Sequence, residues 1–214
     1  MVLKKGDFIE IEFIGKIKES GVIFDVTNEH DAKKYNLYNP NIKYSPLIIC
    51  IGENNIVKGL DEFLIDKEIE DYTVDLPIEK AFGPKDPKLM KIVPNNLFKK
   101  QKINPFPGLQ INFDGIIGTI ITAGSGRVIV DFNHPLAGKE LIYEIKIKRL
   151  ITDTKEKLTS ILKPLSNKDI EIKLENNIAS INLKINEQIQ QPLINKIKSL
   201  IPEIKDIKFI QKNN

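Results

Sequence analysis

The chain has 214 residues, of which 41% are hydrophobic and 29% are charged. This composition is ordinary for a folded chain of one or two domains and too apolar for a disordered one. No apolar run reaches the roughly 18 residues that a membrane-spanning helix needs, and the N-terminus lacks the apolar stretch of a signal peptide. A single cysteine, Cys50, excludes an intramolecular disulfide. These features predict a protein of the reducing cytoplasm without a membrane partner.

The net charge of +3 does not by itself indicate nucleic-acid binding. Its distribution is uneven, because residues 84–130 carry seven Lys and Arg against two Asp and Glu. Residues 152–214 carry eleven against eight, and the remainder of the chain carries fourteen against nineteen. A basic block therefore lies within an acidic frame.

The N-terminal part of the chain predicts a β-rich domain, since apolar and polar residues alternate or form short apolar runs bounded by turn residues. The predicted strands cover residues 7–18, 22–25, 46–51 and 71–77. Residues 27–45 are polar and predict a long surface loop. Residues 55–65 place apolar side chains at helical spacing, which predicts a short helix with Asn54 or Asn55 as its N-cap.

The middle of the chain changes character. Five prolines lie between residues 84 and 108, where periodic stretches are few. Strand-like runs follow at 109–113, 116–122 and 127–132, and the turn signals Asp114-Gly115 and Gly124-Ser125-Gly126 separate them, which predicts a β-meander. Residues 140–151 resume the alternating pattern of the first domain. We therefore predict a small β-rich domain, residues 84–130, inserted into a loop of a larger one and called the insert below.

Residues 152–214 predict a third, compact α+β unit. Its elements are a helix at 154–162, hairpin strands at 168–175 and 178–185 that turn at Asn176-Asn177, a helix at 188–201 and a strand at 204–211. Pro192 falls in the first turn of the second helix, where proline is tolerated. The strong apolar face of this helix, on so small a unit, predicts a homodimer through the C-terminal unit. Packing of that face onto the unit's own hairpin is the alternative.

The sequence offers little for covalent or metal chemistry. His30 and His134 are the only histidines, and neither has metal-ligand spacing to Cys50 or to the other. We expect no metal site and no cofactor, and we interpret Cys50 as a buried thiol and the histidines as polar loop residues. The basic run at 99–102 beside Phe98 is interpreted as a solvated loop, so no nucleic-acid partner is expected. An adaptor that binds nucleic acid through its basic insert and tail is a rival hypothesis.

Four segments together carry a more specific pattern than any one of them alone. They are G-V-I-F-D (21–25), L-I-I-C-I-G-E-N-N-I-V-K-G-L-D-E-F-L (47–64), L-P-I-E-K-A-F-G (76–83) and D-F-N-H-P-L-A-G-K-E-L-I-Y-E-I (131–145). In this order and spacing they resemble the FKBP-type peptidyl-prolyl isomerases, over about residues 1–151. The N-H-P-L-A-G-K segment and the insertion after A-F-G resemble the SlyD-like branch. The tail is similar to that of long archaeal members. It differs from the metal-binding tail of bacterial SlyD, because no His or Cys follows His134.

This resemblance implies an α+β fold in three parts. Residues 1–83 and 131–151 would form an FKBP-like antiparallel sheet with a short helix, residues 84–130 an inserted β-rich flap domain, and residues 152–214 a C-terminal α+β domain. The implied activities are isomerisation of X-Pro bonds and chaperoning of unfolded or partly folded polypeptides. A holdase with weak or no isomerase activity is the alternative.

Prolyl isomerisation needs loss of amide resonance rather than covalent attack, and an apolar pocket favours the twisted amide because the planar amide is more dipolar. The family pattern implies such a pocket, with Asp25, Phe82 and Tyr143 as its catalytic residues. The residues implied to line it for substrate binding are Phe13, Phe24, Val57 and Leu60. For Phe13 and Phe24, ordinary core packing is the alternative.

Two features of the pocket differ from the common pattern. Leu60 stands where many members have Trp, and Phe13 and Phe82 stand where many have Tyr. The absence of a hydroxyl at Phe82 removes a group that can hydrogen-bond the bound peptide. In the insert, apolar residues that include Phe98 and Phe106 are expected to bind client polypeptides through an exposed and adaptable surface.

Overall fold

The computed structural model describes residues 1–113, 115–166 and 169–210. The chain forms two compact units, the first made of residues 1–16, 22–74 and 142–214 and the second of residues 17–21 and 75–141. Asp114 of a predicted turn, the start of a predicted strand at Lys168 and the end of another at Gln211 lie outside the described residues. Within the described ranges, no helix is long and apolar enough to span a bilayer.

The described residues contain twelve strands and five α-helices, joined by loops and short 3-10 turns. In chain order they are β1 (Phe8–Ile17), β2 (Ile23–Val26), α1 (Glu29–Lys34), β3 (Leu47–Cys50), α2 (Lys58–Leu64), β4 (Asp71–Leu76), β5 (Met90–Pro94), α3 (Asn95–Lys100), β6 (Gln110–Phe113), β7 (Ile116–Ala123), β8 (Arg127–Asp131), β9 (Leu141–Ile151), α4 (Thr154–Leu162), β10 (Ile172–Glu175), β11 (Ile178–Asn182), α5 (Glu187–Leu200) and β12 (Asp206–Ile210). The result is a mixed fold of antiparallel sheets and helices, consistent with an FKBP-like fold.

A five-stranded sheet, with the strand order β2-β1-β9-β4 and β3 also paired to β1, dominates the first unit. The predicted strands agree with β1, β2, β3, β4 and β9 to within a few residues. Alternate residues of β1 and β9 are buried, as a period of two requires when one face of a sheet covers the core.

Two local predictions in this unit are wrong. Residues 29–34 of the predicted loop form α1, because the Asn28 side chain accepts a hydrogen bond from the Asp31 N–H at 2.8 Å and caps the helix. Helix α2 begins at Lys58 after Val57, so neither predicted asparagine is its N-cap. Asn55 Oδ1 instead accepts the Cys50 N–H at 2.9 Å.

The second unit contains a four-stranded antiparallel sheet with the order β5-β8-β7-β6. Strands β6, β7 and β8 confirm the predicted runs at 109–113, 116–122 and 127–132. The sequence did not predict β5 or α3, which fall in the proline-rich stretch. Pro94 ends β5 at the edge of the sheet, where a missing N–H costs no ladder hydrogen bond. The buried core of this sheet consists of Phe98, Ile111, Ile120, Val128 and Val130.

Hydrogen bonds join the two chain segments at which the insert begins and ends. Lys85 Nζ donates to Asp131 Oδ2 at 2.8 Å, and the Asp86 N–H donates to Asn133 Oδ1 at 2.8 Å. Met90 also pairs with Asp131 across β5 and β8. We call Lys85, Asp86, Asp131 and Asn133 the neck. The neck brings the start and the end of the insert close together, as an insertion into a surface loop requires.

The C-terminal elements have the predicted α-β-β-α-β order. Asn176 and Asn177 turn the hairpin with φ of 50° and 65°, as a type I′ turn requires, and β12 pairs in parallel with β11. Helix α5 begins at Glu187, so Pro192 lies inside the helix rather than in its first turn, which corrects the prediction. The apolar face of α5 packs in a core with the hairpin and with Phe8 of β1.

Candidate active site

Three of the predicted pocket residues form an aromatic cluster on the first sheet. The Tyr143 ring on β9 lies 5.6 Å from the Phe13 ring and 5.9 Å from the Phe24 ring, measured between centroids, and meets both edge to face. Tyr143 is only 3% exposed and Phe24 is half-buried. Edge-to-face contacts align the positive edge of one ring with the negative face of the next. The cluster is therefore an ordered apolar surface contributed by three strands.

Gly15 on β1 allows these rings to approach. It pairs with Asp25 of β2, and a Cβ atom there would lie 2.7 Å from Phe24 Cζ and 3.1 Å from Tyr143 Cε1. The contact with Phe24 is closer than a Cβ atom can approach, so any other residue at position 15 would displace the Phe24 ring. The need for glycine at position 15 follows from the packing of β2 and β9 against β1. The sequence pattern did not reveal this packing.

Thr27 fixes the position of Phe13. Its buried hydroxyl accepts the Phe13 N–H at 2.9 Å, and its own N–H donates to the Phe13 carbonyl at 3.2 Å. These bonds extend the pairing of β1 and β2 beyond the last residue of β2. The sequence analysis placed Thr27 in a loop, and a polar residue directly after a strand was the one available signal.

Asp25 directly follows Phe24 in the sequence and remains accessible to solvent. Partial desolvation by surrounding atoms raises the pKa of its carboxyl group, although a hydrogen bond from the Val26 backbone acts in the opposite direction. Burial, and the negative charge of Asp25, raise the pKa of the Tyr143 phenol. Tyr143 is therefore neutral at physiological pH and presents an apolar ring with a hydroxyl group.

Helix α2 holds the other predicted lining residues of this unit. Leu60 is fully buried and Val57, at the start of the helix, is half-buried. The buried carboxylate of Asp61 accepts the Gly52 N–H at 2.9 Å and the Asn54 N–H at 2.8 Å. Asp61 thereby fastens the loop after β3 to the helix, a role that sequence reasoning missed. The place of Val57 and Leu60 in the pocket stays a prediction.

Phe82 belongs to the second unit, where it is 37% exposed and stacks on His134. The ring centroids are 4.2 Å apart and the planes are nearly parallel, at 5°. His134 Nδ1 accepts the Leu136 N–H at 3.2 Å, and the Gly138 N–H donates to the Gly83 carbonyl at 2.8 Å. His134, predicted only as a polar loop residue, is thus the aromatic partner of Phe82. The catalytic role of Phe82 stays a prediction.

The two aromatic residues predicted to bind clients differ in their surroundings. Phe98 is 2% exposed, belongs to the core of the four-stranded sheet and meets Phe113 edge to face at 6.0 Å. A client could contact Phe98 only if that core opened. Phe106 is 54% exposed. Other exposed apolar side chains in the insert are Leu89, Met90, Ile92, Leu97, Ile116, Ile117 and Ile121.

Comparison with known proteins gives the family. Residues 91–136 match the family model described as FKBP26, IF domain. A short-type peptidyl-prolyl cis-trans isomerase of Methanocaldococcus jannaschii is 34% identical over 148 residues, which cover 69% of this chain and 93% of that protein. SlyD proteins of Helicobacter pylori and Aeromonas hydrophila, named FKBP-type peptidyl-prolyl cis-trans isomerases, are 28% and 30% identical. The matches cover 61% and 63% of this chain, and 72% and 63% of those proteins.

The chain belongs to the FKBP-type peptidyl-prolyl isomerases, and it is consistent with a SlyD-like member of that family. It is an isomerase of peptidyl-prolyl bonds.

Proposed function

We propose that the chain isomerises X-Pro bonds of unfolded or partly folded polypeptides in an apolar pocket built on the aromatic cluster. The observation that supports this proposal most strongly is the edge-to-face arrangement of Phe13, Phe24 and Tyr143 beside a carboxyl group with a raised pKa. The remaining members of the proposed pocket are Asp25, Val57, Leu60 and Phe82.

The proposed mechanism is non-covalent. Rotation about an X-Pro bond must overcome a barrier of about 18–20 kcal/mol, most of it lost amide resonance. The aromatic surface would exclude water from the bound amide, which destabilises the dipolar planar state relative to the twisted one. Asp25 would supply the polar contact near the rotating carbonyl or orient its neighbours. Each ~1.4 kcal/mol by which the site favours the twisted amide gives about a tenfold faster rate.

We further propose the division into an isomerase domain (1–83 and 131–151), the insert as a chaperone domain (84–130) and a C-terminal domain (152–214). Exposed apolar residues on the insert support its role. Val93 and Val128 pair across β5 and β8 toward the core, so the next pair, Ile92 and Ile129, faces the opposite side of the sheet. Ile117 on β7 lies on that same side, because its neighbour Gly118 pairs with buried Ile111.

This open face carries the exposed side chains of Ile92 and Ile117, and the insert as a whole is basic, with seven Lys and Arg against two Asp and Glu. Such a surface suits binding of many unfolded chains by apolar contact with electrostatic attraction of acidic ones. Clients held there would have a high effective concentration near the proline pocket, so the insert would increase isomerisation of protein substrates more than that of short peptides.

A double substitution, Ile92→Glu with Ile117→Glu, tests the proposal without removing the insert. Isomerisation of a proline tetrapeptide should stay within a few-fold, whereas catalysis of a proline-limited refolding reaction and suppression of aggregation should fall sharply. Ile210→Glu, at an exposed isoleucine on β12 of the first unit, is the control. Equal loss on peptide and protein substrates would contradict the chaperone role.

The same exposed face favours a second candidate, a holdase with weak or no isomerase activity. The tetrapeptide assay separates the two, because holding a client leaves the rate of isomerisation of a short peptide at its uncatalysed value.

A further inference from the structure

An apolar groove runs along β3 in the first unit, away from the aromatic cluster's residues. Its volume is about 720 Å³, within the ~300–1,000 Å³ that is usual for ligand sites. Residues of β1 and β3 form one side, and α4, the turn after it and α5 form the other. The apolar side chains that line the groove are Phe8, Ile48, Ile161, Leu165, Leu193 and Leu200.

Along β3, the backbone N–H and C=O groups of successive residues point alternately toward β1 and away from it. The Ile51 N–H donates to the Asp7 carbonyl at 2.9 Å, directly before the antiparallel register in which Ile49 faces Ile9. Hydrogen-bonded pairs alternate along such a ladder, so Ile49 bonds to β1. The N–H and C=O groups of Ile48 therefore point to the outer edge of the sheet.

Ile48 is the open position on this edge. Asn55 Oδ1 accepts the outward N–H of Cys50 at 2.9 Å, and the Cys50 carbonyl accepts the Glu53 N–H at 3.2 Å. Pro46 has no N–H to donate. Among the described residues, no hydrogen bond is made to the outward groups of Ile48. An unpaired donor and acceptor on an edge strand are a template for a further strand.

The groove is lined by three carboxylates and three lysines, and each carboxylate has a partner within the fold. Glu53 pairs with Lys196 at 3.1 Å, and Glu156 is held by Arg149 at 2.7 Å. The Asp153 carboxylate accepts the Glu156 N–H and caps α4. Groove lysines that lack a carboxylate partner in the described part of the chain are Lys155 and Lys163.

We propose that the groove binds an extended, apolar segment of another polypeptide, which adds to the outer edge of β3. One residue of the segment exchanges both backbone hydrogen bonds with Ile48, and the side chains on one face of the segment enter the groove. A carboxylate near one end of the segment meets Lys155 or Lys163. The segment needs no proline, so this site is independent of the proposed isomerase pocket.

The test is a titration of the full chain with a fluorescein-labelled, proline-free peptide that alternates valine and threonine between terminal glutamates. In amide-resolved NMR spectra, the Ile48 amide should shift and its hydrogen exchange should slow. Ile48→Pro removes a donor that the fold does not use and should weaken this binding about tenfold. Ile48→Val, of similar size with the N–H intact, should bind almost as the parent does.

Two further variants keep the test decisive. Ser160→Trp, which fills the groove, should abolish the Ile48 shift even if Ile48→Pro does not fold. Lys163→Glu should weaken binding of the glutamate-ended peptide and strengthen that of a lysine-ended one. Shifts confined to the second unit would overturn the proposal. Ile48 signals that depend on protein concentration without peptide would overturn it in favour of a second copy of this chain.

Discussion

A buried carboxylate in the neck should control the stability of the second unit. Asp131 is 6% exposed and accepts three hydrogen bonds, from Lys85 Nζ at 2.8 Å and from the N–H and Nδ2 of Asn133 at 2.9 and 2.7 Å. Asp131→Ala removes all three and leaves the Asn133 N–H without its acceptor, whereas Asn133 Nδ2 still donates to the Asp86 carbonyl at 3.1 Å. Asp131→Asn keeps an oxygen for Asn133 but loses the charge and the acceptor for Lys85, since the amide NH2 group can only donate.

Hydrogen bonds to a charged group contribute roughly 1.5–3 kcal/mol each, but Lys85 is half-exposed and its bond is worth at most ~1 kcal/mol after screening. The two bonds from Asn133 join residues only two positions apart in the chain. We therefore expect a loss of about 3 kcal/mol for Asp131→Ala and about 1 kcal/mol for Asp131→Asn. The loss should appear as local opening of the second unit, since distinct units open separately.

Hydrogen exchange of the β8 amides measures this opening. A loss of about 3 kcal/mol corresponds to roughly 100-fold faster exchange. Asp86→Ala is the control, because within the described residues the exposed Asp86 carboxylate accepts only the nearby Lys88 N–H. It should change exchange much less. Unchanged protection of β8 in Asp131→Ala would refute the reasoning.

The effect should also depend on pH. Burial alone would raise the pKa of Asp131, but the hydrogen bonds from Lys85 and Asn133 outweigh it and lower the pKa. A carboxyl group with a lowered folded pKa contributes its full stability above its unfolded pKa of ~3.9 and loses it as the pH falls through the folded pKa. The difference between the parent and Asp131→Asn should therefore vanish in acid. A difference that persists there would exclude ionisation as its cause.

Three further predictions concern the pocket and the tail. Asp25→Asn should slow tetrapeptide isomerisation about tenfold yet raise the denaturation midpoint near neutral pH. Because the pKa of Asp25 is raised in the folded state, this gain in stability is present above the folded pKa and absent below the unfolded pKa. A midpoint that does not rise at any pH would contradict the desolvation of Asp25. His134→Ala should raise the KM for peptide more than it lowers kcat, and His134→Phe, which preserves a ring against Phe82, should restore the KM; equal kinetics in both would contradict a positioning role. Light scattering of the full chain should show a dimer that Ile189→Glu, at a half-exposed position of α5, converts to monomer; a monomeric parent would end the dimer hypothesis.

The longest elements were predictable because their sequence pattern repeats. Strands β1 and β9 alternate over many residues, and α4 has the predicted bounds, with an Asp153 cap. The short elements were not predictable. Helix α1 depends on one asparagine cap, and β5 exposes Met90, Lys91 and Ile92 in succession, so it lacks the alternation that marks a half-buried strand. Strand β5 forms because it pairs with β8, a strand that lies far along the chain and that local sequence does not indicate.

The same distinction holds for the candidate site. The resemblance predicted the residues of the aromatic cluster, whose contacts the structure then supplied. Thr27, Asp61 and His134 were not predicted, since each acts on a residue elsewhere in the chain: the Phe13 backbone, the loop after β3 and the Phe82 ring. Such roles depend on tertiary pairing, which neither periodicity nor motif spacing contains.

The neck links the insert to Phe82, a residue of the proposed isomerase pocket, and to its stacking partner His134. Phe82 lies three residues before Lys85, and His134 directly follows Asn133. The hydrogen bond between Gly138 and Gly83 ties the two segments together beside the stacked rings. We therefore expect a displacement of the four-stranded sheet to move both rings together. Loosening of the neck should accordingly affect peptide binding at Phe82, while the edge-to-face contacts of Tyr143, which are made within the first sheet, stay as they are.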